Sequence, residues 1–514
     1  MNFTTQKLNL LYVVVVANSS LKDTVQDFVK FKESQGFEVV VEDVPTIEQN
    51  YQGIDCAEKI RNFLKDKTKD YPKSFTLLIG KPYDKEKATD SSTGGEIPMR
   101  IITSIFINYF SHLPETFSYP TDFYYADLEG NWDKNNNGKY GEIKFDETIQ
   151  KGEKIDEVDE QVHNFVGRIP FSEKEVVKSI LVNTINIQNI ECKNKALLAM
   201  AKSEGRNLPD LAEEGEWLIE NIFKPAGFNV TTLYEKEGSK PSLYNCTAPL
   251  NNENFITYFP GNDIVITTGE NGINREVWYD YNGDGQVQEY DYSVAKSELK
   301  FPPILSLDGL RVLASQGVKT KIFFEWGCES WNYNDNVSSN YDVNADDILR
   351  AGISAVVVGT TKRVGSGSIS DLESFCNTII TAQLPIGEWL YNIKYPRTII
   401  RIPGPSDFWW QRLAYNILGD PSFSLFDDSL TISADLTPPT IQITSPSNGS
   451  ITNKTEVTIS GIVSEVGSGI QRVEINSNSV TLTDDSFNTV VKLEEGKNTV
   501  TVKAVDKAGN ETTT

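Results

Sequence analysis

Cys328 stands just past the apolar run Ile322-Phe323-Phe324, where Gly327 breaks the strand pattern. The carboxyl end of a buried parallel strand is where open α/β sheets present catalytic groups, and a thiolate there is a nucleophile for acyl transfer. The same position also suits a small buried apolar residue, the commoner fate of a free cysteine. Two other stretches carry oxygen donors on alternate residues. In the first, Asp133, Asn135 and Asn137 precede Gly138, and the Lys139 carbonyl and the Glu142 carboxylate follow. In the second, Asp280, Asn282 and Asp284 precede Gly285, Gln286 offers its carbonyl, and Asp291 closes the loop. A hard cation such as calcium takes about six or more oxygens and needs this spacing around a glycine turn. The second loop is the stronger pattern, because asparagine at two ligand positions lowers the charge of the first. The competing reading is an Asn/Gly turn without metal at the first loop and an acidic surface turn at the second.

These residues belong to a chain of 514 residues, long enough for about two to four domains. The formal net charge of −24 argues against nucleic acid or an anionic membrane as partner. Five cysteines (Cys56, Cys192, Cys246, Cys328 and Cys376) are widely spaced, and no disulfide framework can be read from them. Only two histidines are present, His112 and His163. Residues 8–17 look like the core of a secretory leader. The helical and strand patterns that follow instead make them the first buried strand of a βαβ unit. No apolar run is long enough to span a membrane, so any export signal is expected outside this chain.

Strand patterns at 13–16, 37–41 and 75–79 alternate with helical ones at 21–35 and 54–65. This predicts a doubly wound, mostly parallel sheet in an N-terminal α/β subdomain, residues 1–194. Residues 91–95 read as a flexible loop, 166–170 as a further strand and 172–194 as a long helix. A second α/β subdomain over 195–430 carries Cys328, with a helix at 208–223 and strands at 229–233, 263–267 and 354–360. Residues 431–438 form the linker. Residues 439–514 show five short alternating runs, the pattern of a β-sandwich. Its phrases Thr444-Ser445-Pro446-Ser447-Asn448-Gly449 and Ala504-Val505-Asp506-Lys507-Ala508-Gly509-Asn510 resemble bacterial immunoglobulin-like repeats. Such domains finish with a strand after this last turn, so a truncated sandwich with further C-terminal domains beyond it is expected.

Over most of residues 8–428 the chain resembles the gingipain-like cysteine peptidases, which have a caspase-like α/β fold. The resemblance is carried by the segment Thr121-Asp122-Phe123-Tyr124-Tyr125-Ala126-Asp127-Leu128-Glu129-Gly130-Asn131-Trp132, by Val166-Gly167-Arg168-Ile169-Pro170, by Phe323-Phe324-Glu325-Trp326-Gly327-Cys328, by the 352–361 strand and by Leu418-Gly419-Asp420-Pro421-Ser422. It implies a secreted or cell-surface, calcium-stabilised endopeptidase that acts on peptide or protein substrates through Cys328. It also implies a histidine partner within 267–272, where this chain has Thr267-Thr268-Gly269-Glu270-Asn271-Gly272. Glu270 stands at the expected histidine position. The oxyanion donors implied by the family are backbone N–H groups of Cys328 and of Gly269 or Gly272. A carboxylate near a thiol raises its pKa, whereas an imidazolium lowers it and then protonates the leaving amine. Two readings therefore stand: a cysteine endopeptidase, or a non-catalytic pseudopeptidase that serves as a calcium-rigidified scaffold or peptide-binding module.

Overall fold

The computed structural model describes residues 10–107, 114–146, 151–159, 162, 164–201, 210–236, 241–268, 304–326, 330–331, 343–361, 369–391, 413–426, 438–464, 470–476, 478–482, 486–506 and 511–514. The chain forms two compact units, one of residues 10–69 and 74–430, the other chiefly 431–514.

The larger unit starts from Leu10–Val16 (β1), buried at every position as a strand covered on both faces must be. Glu38–Asp43 (β2) pairs parallel to it, and Lys73–Ile79 (β3) lies on its other side. The crossover helices are Gln26–Ser34 and Cys56–Thr68, the second capped by Asp55, which accepts from the Glu58 amide at 2.9 Å. A short helix at Val44–Asn50 was not anticipated, although Asp43 caps it and Pro45 suits its first turn.

Arg100–Ile107 (β4), Pro114–Thr121 (β5), Tyr140–Asp146 (β6) and Lys151–Lys154 (β7) form a separate small sheet in the order β5-β4-β6-β7. Residues 91–95, expected to be a flexible loop, are instead tied down. Thr93 is buried, the Met99 amide donates to its hydroxyl at 2.8 Å, and Ser92 bridges to Arg100. Small polar residues here satisfy buried backbone groups, a role their composition does not distinguish from a solvated loop.

Asn164–Ile169 (β8) returns to the large sheet, and the Lys174–Gln188 helix leads to its second half. That half contains Lys195–Met200 (β9), Asn229–Tyr234 (β10), Ala248–Pro249 (β11), Ile264–Thr268 (β12), Thr320–Trp326 (β13), Ser354–Thr360 (β14) and Tyr415–Leu418 (β15). Among the described residues eleven strands make one continuous sheet, ordered β11-β10-β9-β12-β13-β14-β15-β8-β3-β1-β2. Pairing is parallel from β11 through β14, at β15–β8, at β8–β3 and at β1–β2, and antiparallel between β14 and β15. The winding reverses twice, at β1/β3 and at β9/β12. The carboxyl ends beside such a reversal are where open sheets leave a crevice.

The two halves meet where β8 and β15 approach closely. A Cβ on Gly167 would lie 2.3 Å from the Gly419 carbonyl oxygen, so only glycine fits there.

The smaller unit is a two-sheet antiparallel sandwich. Thr440–Ser445 (β16), Glu456–Ser464 (β17) and Ser486–Lys492 (β20) form one sheet, in the order β16-β17-β20. Ile470–Ile475 (β18), Asn478–Val480 (β19), Val502–Asp506 (β21) and Glu511–Thr513 (β22) form the other, in the order β19-β18-β21-β22. Its core is Ile459, Val463, Val473, Ile475, Phe487, Val502 and Ala504, inward residues of alternating strands. The strand that such domains carry after the Ala508-Gly509-Asn510 phrase, expected to be cut off here, is present as β22, paired antiparallel to β21.

Candidate active site

The carboxyl edge at the β9/β12 reversal is built by three strand ends in register. Thr268 of β12 pairs with Met200 of β9 on one side and with Trp326 of β13 on the other. The Thr268 hydroxyl donates to the Met200 thioether at 3.2 Å, and the Ala201 amide donates to the Thr268 carbonyl at 3.1 Å. Met200, Leu211, Glu214, Thr268, Trp326 and Leu372 line an indentation at this edge. The buried Trp326 indole N–H has no hydrogen-bond partner among the described residues. In sequence, Gly269 follows Thr268 directly and Cys328 follows Trp326 by two residues. The strand ends thus lead the two chemically interesting segments out from neighbouring strands of one sheet. Cys328, Gly269, Glu270 and Gly272 themselves lie outside the described residues, as do His112 and His163.

After Cys328 the chain is caught again at Ser330 and Trp331, both buried. The Trp331 amide donates to the Thr360 carbonyl at 3.0 Å, and the Ala345 amide to the Ser330 carbonyl at 3.2 Å. The Ser330 hydroxyl accepts from the Thr360 amide at 3.0 Å and donates to the Glu325 carbonyl at 3.3 Å. A Cβ on Gly359 would stand 2.9 Å from the Ala345 Cβ and 3.1 Å from that of Trp331, so glycine lets this segment lie against β14.

Three other cysteines offer poor nucleophiles. Burial pushes the Cys56 thiol up to about 12 and the Cys192 thiol up to about 11. Cys376 is raised well above its ordinary value, first by burial and then by the nearby Glu214 and Glu373 carboxylates. Thiols raised this far hold almost no thiolate at neutral pH.

The first candidate cation loop is described in full. Asp133 accepts from the amides of Asn137 at 2.9 Å and Gly138 at 3.1 Å, and Asn137 Oδ1 accepts from the Lys139 amide at 2.8 Å. The side-chain amides of Asn135 and Asn137 both donate to Glu142 Oε2, at 2.8 and 2.7 Å. The structure therefore brings the Asn135 and Asn137 side chains onto Glu142, while Asp133 caps the backbone of the turn. Asn135 Oδ1 and Asn137 Oδ1 each accept a backbone amide, from Asn137 at 3.0 Å and from Lys139 at 2.8 Å, so the loop is closed by its own hydrogen bonds. Gly138 and Asn136 have φ of +76° and +56°, the left-handed backbone the tight loop requires. Asp156, not singled out from the sequence, braces this loop by accepting from the Lys134 amide at 2.9 Å and the Glu142 amide at 2.8 Å. Burial raises its carboxyl, and Glu142 and Asp133 raise it further. Among the described residues no cluster of three or more His, Cys, Asp or Glu forms a metal-ligand set. The second loop, with Asp280, Asn282, Asp284, Gln286 and Asp291, lies outside the described residues.

The segments that carried the resemblance are the ones that hold the first half together. Arg168 of β8 makes a bidentate pair with Asp122, at 2.7 and 2.6 Å, and donates to the Ile97 carbonyl at 2.8 Å. The Asp127 carboxylate accepts from the amides of Glu129 and Gly130 and from the Trp132 indole N–H. Arg61 reaches the carbonyls of Asp127 and Gly130. Asp420 accepts from the Tyr12 hydroxyl at 2.7 Å and pairs with Lys32 at 2.5 Å. These charges are buried and mutually satisfied, so each motif fixes a junction between elements.

One open sheet with two winding reversals and helices around it is a caspase-like α/β fold. The chain belongs to peptidase family C25, whose model matches residues 6–426. Residues 439–514 match the model of glucodextranase domain B, an immunoglobulin-like module. Among solved structures, the complex of Porphyromonas gingivalis RgpB pro- and mature domains aligns with a TM-score of 0.50 at 14% identity, covering 98% of this chain and 99% of that one. The Arg-specific cysteine proteinase gingipain R (RgpB) aligns with a TM-score of 0.49 at 15% identity, covering 100% and 98%. Bacillopeptidase F of Bacillus subtilis (strain 168) is 34% identical over 84 residues, which are 16% of this chain and 6% of that protein. No described helix is long and apolar enough to cross a membrane.

Proposed function

We propose that residues 6–426 are an extracellular cysteine endopeptidase module that cleaves peptide or protein substrates through Cys328, stabilised by calcium. The observation that supports this reading is the register Met200–Thr268–Trp326 on adjacent strands, with Gly269 next in sequence after Thr268 and Cys328 two residues after Trp326. In the reaction, the Cys328 thiolate attacks the scissile carbonyl and the amine leaves with a proton. Water then hydrolyses the thioester and frees the thiol. Backbone N–H groups of Cys328 and of Gly269 or Gly272 would receive the oxyanion. Calcium is supported by the meeting of Asn135 and Asn137 at Glu142, with Asp133 and the Lys139 carbonyl as the further donors of the loop's pattern, and by the sequence pattern from Asp280 to Asp291. Bound there, the cation would supply charge neutralisation that holds a loop of repelling carboxylates closed.

A second reading is favoured by one observation: no histidine occurs within 267–272, where Glu270 stands. Without an imidazole the thiol keeps its ordinary pKa, and the module binds peptides without turning them over. Labelling with an iodoacetamide probe across pH 5–9 in calcium, against a Cys328→Ala control, separates the two. Cys328-dependent labelling that stays strong at pH 5–6 is expected for the peptidase. Labelling that rises only near pH 8–9 overturns it in favour of the pseudopeptidase.

A further inference from the structure

Asparagine is followed by glycine at four places in this chain, 137–138, 271–272, 282–283 and 448–449, and the middle two lie outside the described residues. Such a pair carries its own chemistry, because the glycine amide nitrogen can reach the asparagine side-chain carbonyl carbon with no Cβ in its way. Both described pairs are exposed, and neither glycine has an atom within 4 Å of where a Cβ would stand. They differ in how the reacting groups are bonded. Asn448 and Gly449 form the middle of a turn between β16 and β17. The Ser450 amide closes it onto the Ser447 carbonyl at 3.2 Å, and the two serine hydroxyls meet at 3.1 Å. Gly449 has φ of +80°, the third position of a type II turn. Serines make these closing bonds, so among the described residues neither the Asn448 side chain nor the Gly449 amide has a hydrogen-bond partner. At the other pair every reacting group is held. The Gly138 amide donates to Asp133 at 3.1 Å, and the Asn137 side chain accepts from the Lys139 amide at 2.8 Å and donates to Glu142 at 2.7 Å. A carboxylate on the Gly138 N–H also opposes the negative charge that this nitrogen must gain to react.

We propose that Asn448 is a site of spontaneous deamidation, and that the hydrogen bonds of the 133–142 loop hold Asn137 against the same reaction. Hydroxide removes the Gly449 amide proton, and the nitrogen forms a bond to Asn448 Cγ. The Cγ–Nδ2 bond breaks, and ammonia leaves with a proton taken from water, which regenerates the hydroxide and closes a succinimide ring. Water then opens the ring. Attack at Cγ gives aspartate, whereas attack at the main-chain carbonyl gives isoaspartate, with the chain routed through Cγ. Either product places a carboxylate at a loop tip where Ile451 is 99% exposed. The core of the sandwich lies on the strands and keeps its packing.

The test incubates the full chain at pH 6, 7 and 8 in chelator, native and in urea. Chelator keeps any bound cation from adding to the protection of Asn137. Mass spectrometry of the Asn137 and Asn448 peptides follows the conversion of amide to acid, and chromatography separates the isoaspartyl from the aspartyl peptide. In urea the two pairs are expected to react at rates within about threefold of each other, since the folded contacts are gone. In the native chain Asn448 is expected to stay within about threefold of its own urea rate, to speed up with pH and to give both products. Native Asn137 is expected to fall at least about tenfold below its urea rate, or ~1.4 kcal/mol. An Asn448 that stays intact in the native chain, or slows as much as Asn137, overturns the proposal. So does aspartate without isoaspartate at 448, which marks direct hydrolysis of the amide. Native Asn137 reacting at its urea rate overturns the protective role of the loop.

Discussion

Asp420→Asn should be among the most damaging single changes in the larger unit, and the structure says by how much. Lys32 and Asp420 are both almost fully buried and paired at 2.5 Å. Among the described residues the Lys32 ammonium otherwise meets the Ser422 hydroxyl and Gln35 Oε1, each at 2.9 Å, and the rings of Tyr12, Phe28, Phe31 and Phe37 at 5.2–5.9 Å. Asparagine keeps one oxygen for Tyr12 and the Ser422 donors but turns a donor or a neutral dipole toward the ammonium. Removing one partner of a buried pair costs about 3–5 kcal/mol, and the aromatic faces offset roughly 1–2 of that. The expected net loss is therefore about 3 kcal/mol. Lys32→Met should cost less, roughly 1–2 kcal/mol, because Asp420 retains Tyr12 and both Ser422 donors. The double variant should be more stable than the sum of the singles predicts by about 2 kcal/mol. Urea unfolding of the four proteins measures all three quantities. The sign of the pH dependence is also set: burial lowers the Lys32 pKa, so its contribution is present at high pH and lost as pH falls through the folded value. Additive singles, or an Asp420→Asn cost under ~1 kcal/mol, would refute the argument that the pair is a mutually dependent buried unit.

Other outcomes follow from single sites. Arg168→Lys loses the fork that grips Asp122 twice and should cost about 2–4 kcal/mol in urea unfolding, with Asp122→Asn comparable. Gly419→Ala meets the Ala355 carbonyl at 2.7 Å in a φ of +119° and should cost more than ~2 kcal/mol. Gly36→Ala, at φ +96° with open space around it, should cost only about 1 kcal/mol. The raised Asp156 carboxyl contributes stability that is complete below the ordinary carboxylate range and lost as pH rises through its folded value. In chelator, melting temperatures should therefore show Asp156→Asn gaining on wild type as pH rises from about 4 to 7, and calcium should shrink that gain; the opposite slope would remove Asp156 from the loop's electrostatics.

What the sequence made legible was local. Continuous apolar runs marked β1, β3, β12 and β14 within a few residues, because strands buried on both faces are apolar throughout, and the helix and strand patterns after LLYVVVV set aside its likeness to a leader core. The alternation in the sandwich gave 470–475 with both ends correct. Long-range facts were not legible. Nothing in Arg168, Asp122, Lys32 or Asp420 announces that they pair across 46 and 388 residues. The β4–β7 sheet was missed because two prolines, Pro114 and Pro120, sit inside β5, where a ladder position without its N–H still pairs at neighbouring residues. Asp156 escaped notice for a related reason: it stands 14 residues beyond Glu142, outside any loop spacing, and only folding brings it against the loop backbone. The oxygen pattern of the 133–142 loop was readable because its ligand atoms are neighbours in the chain. Ser330 was not, since its partners at Glu325 and Thr360 are defined by the sheet.

The place of β15 carries a consequence for how this molecule is made. Tyr415–Leu418 comes last of all the large sheet's strands, yet it lies near the middle, between β14 and β8. On the ribosome, each half can wind its own strands as it emerges, but β8, and later β14, present an open inner edge until about four hundred residues have been synthesised. At a common elongation rate of roughly 5–20 residues per second, the β8 edge waits on the order of tens of seconds for the wedge that joins them, and the β14 edge only several seconds. The nascent protein is therefore most vulnerable to edge-to-edge association late in its synthesis, and a chaperone that shields β8 or β14 would act where the need is greatest.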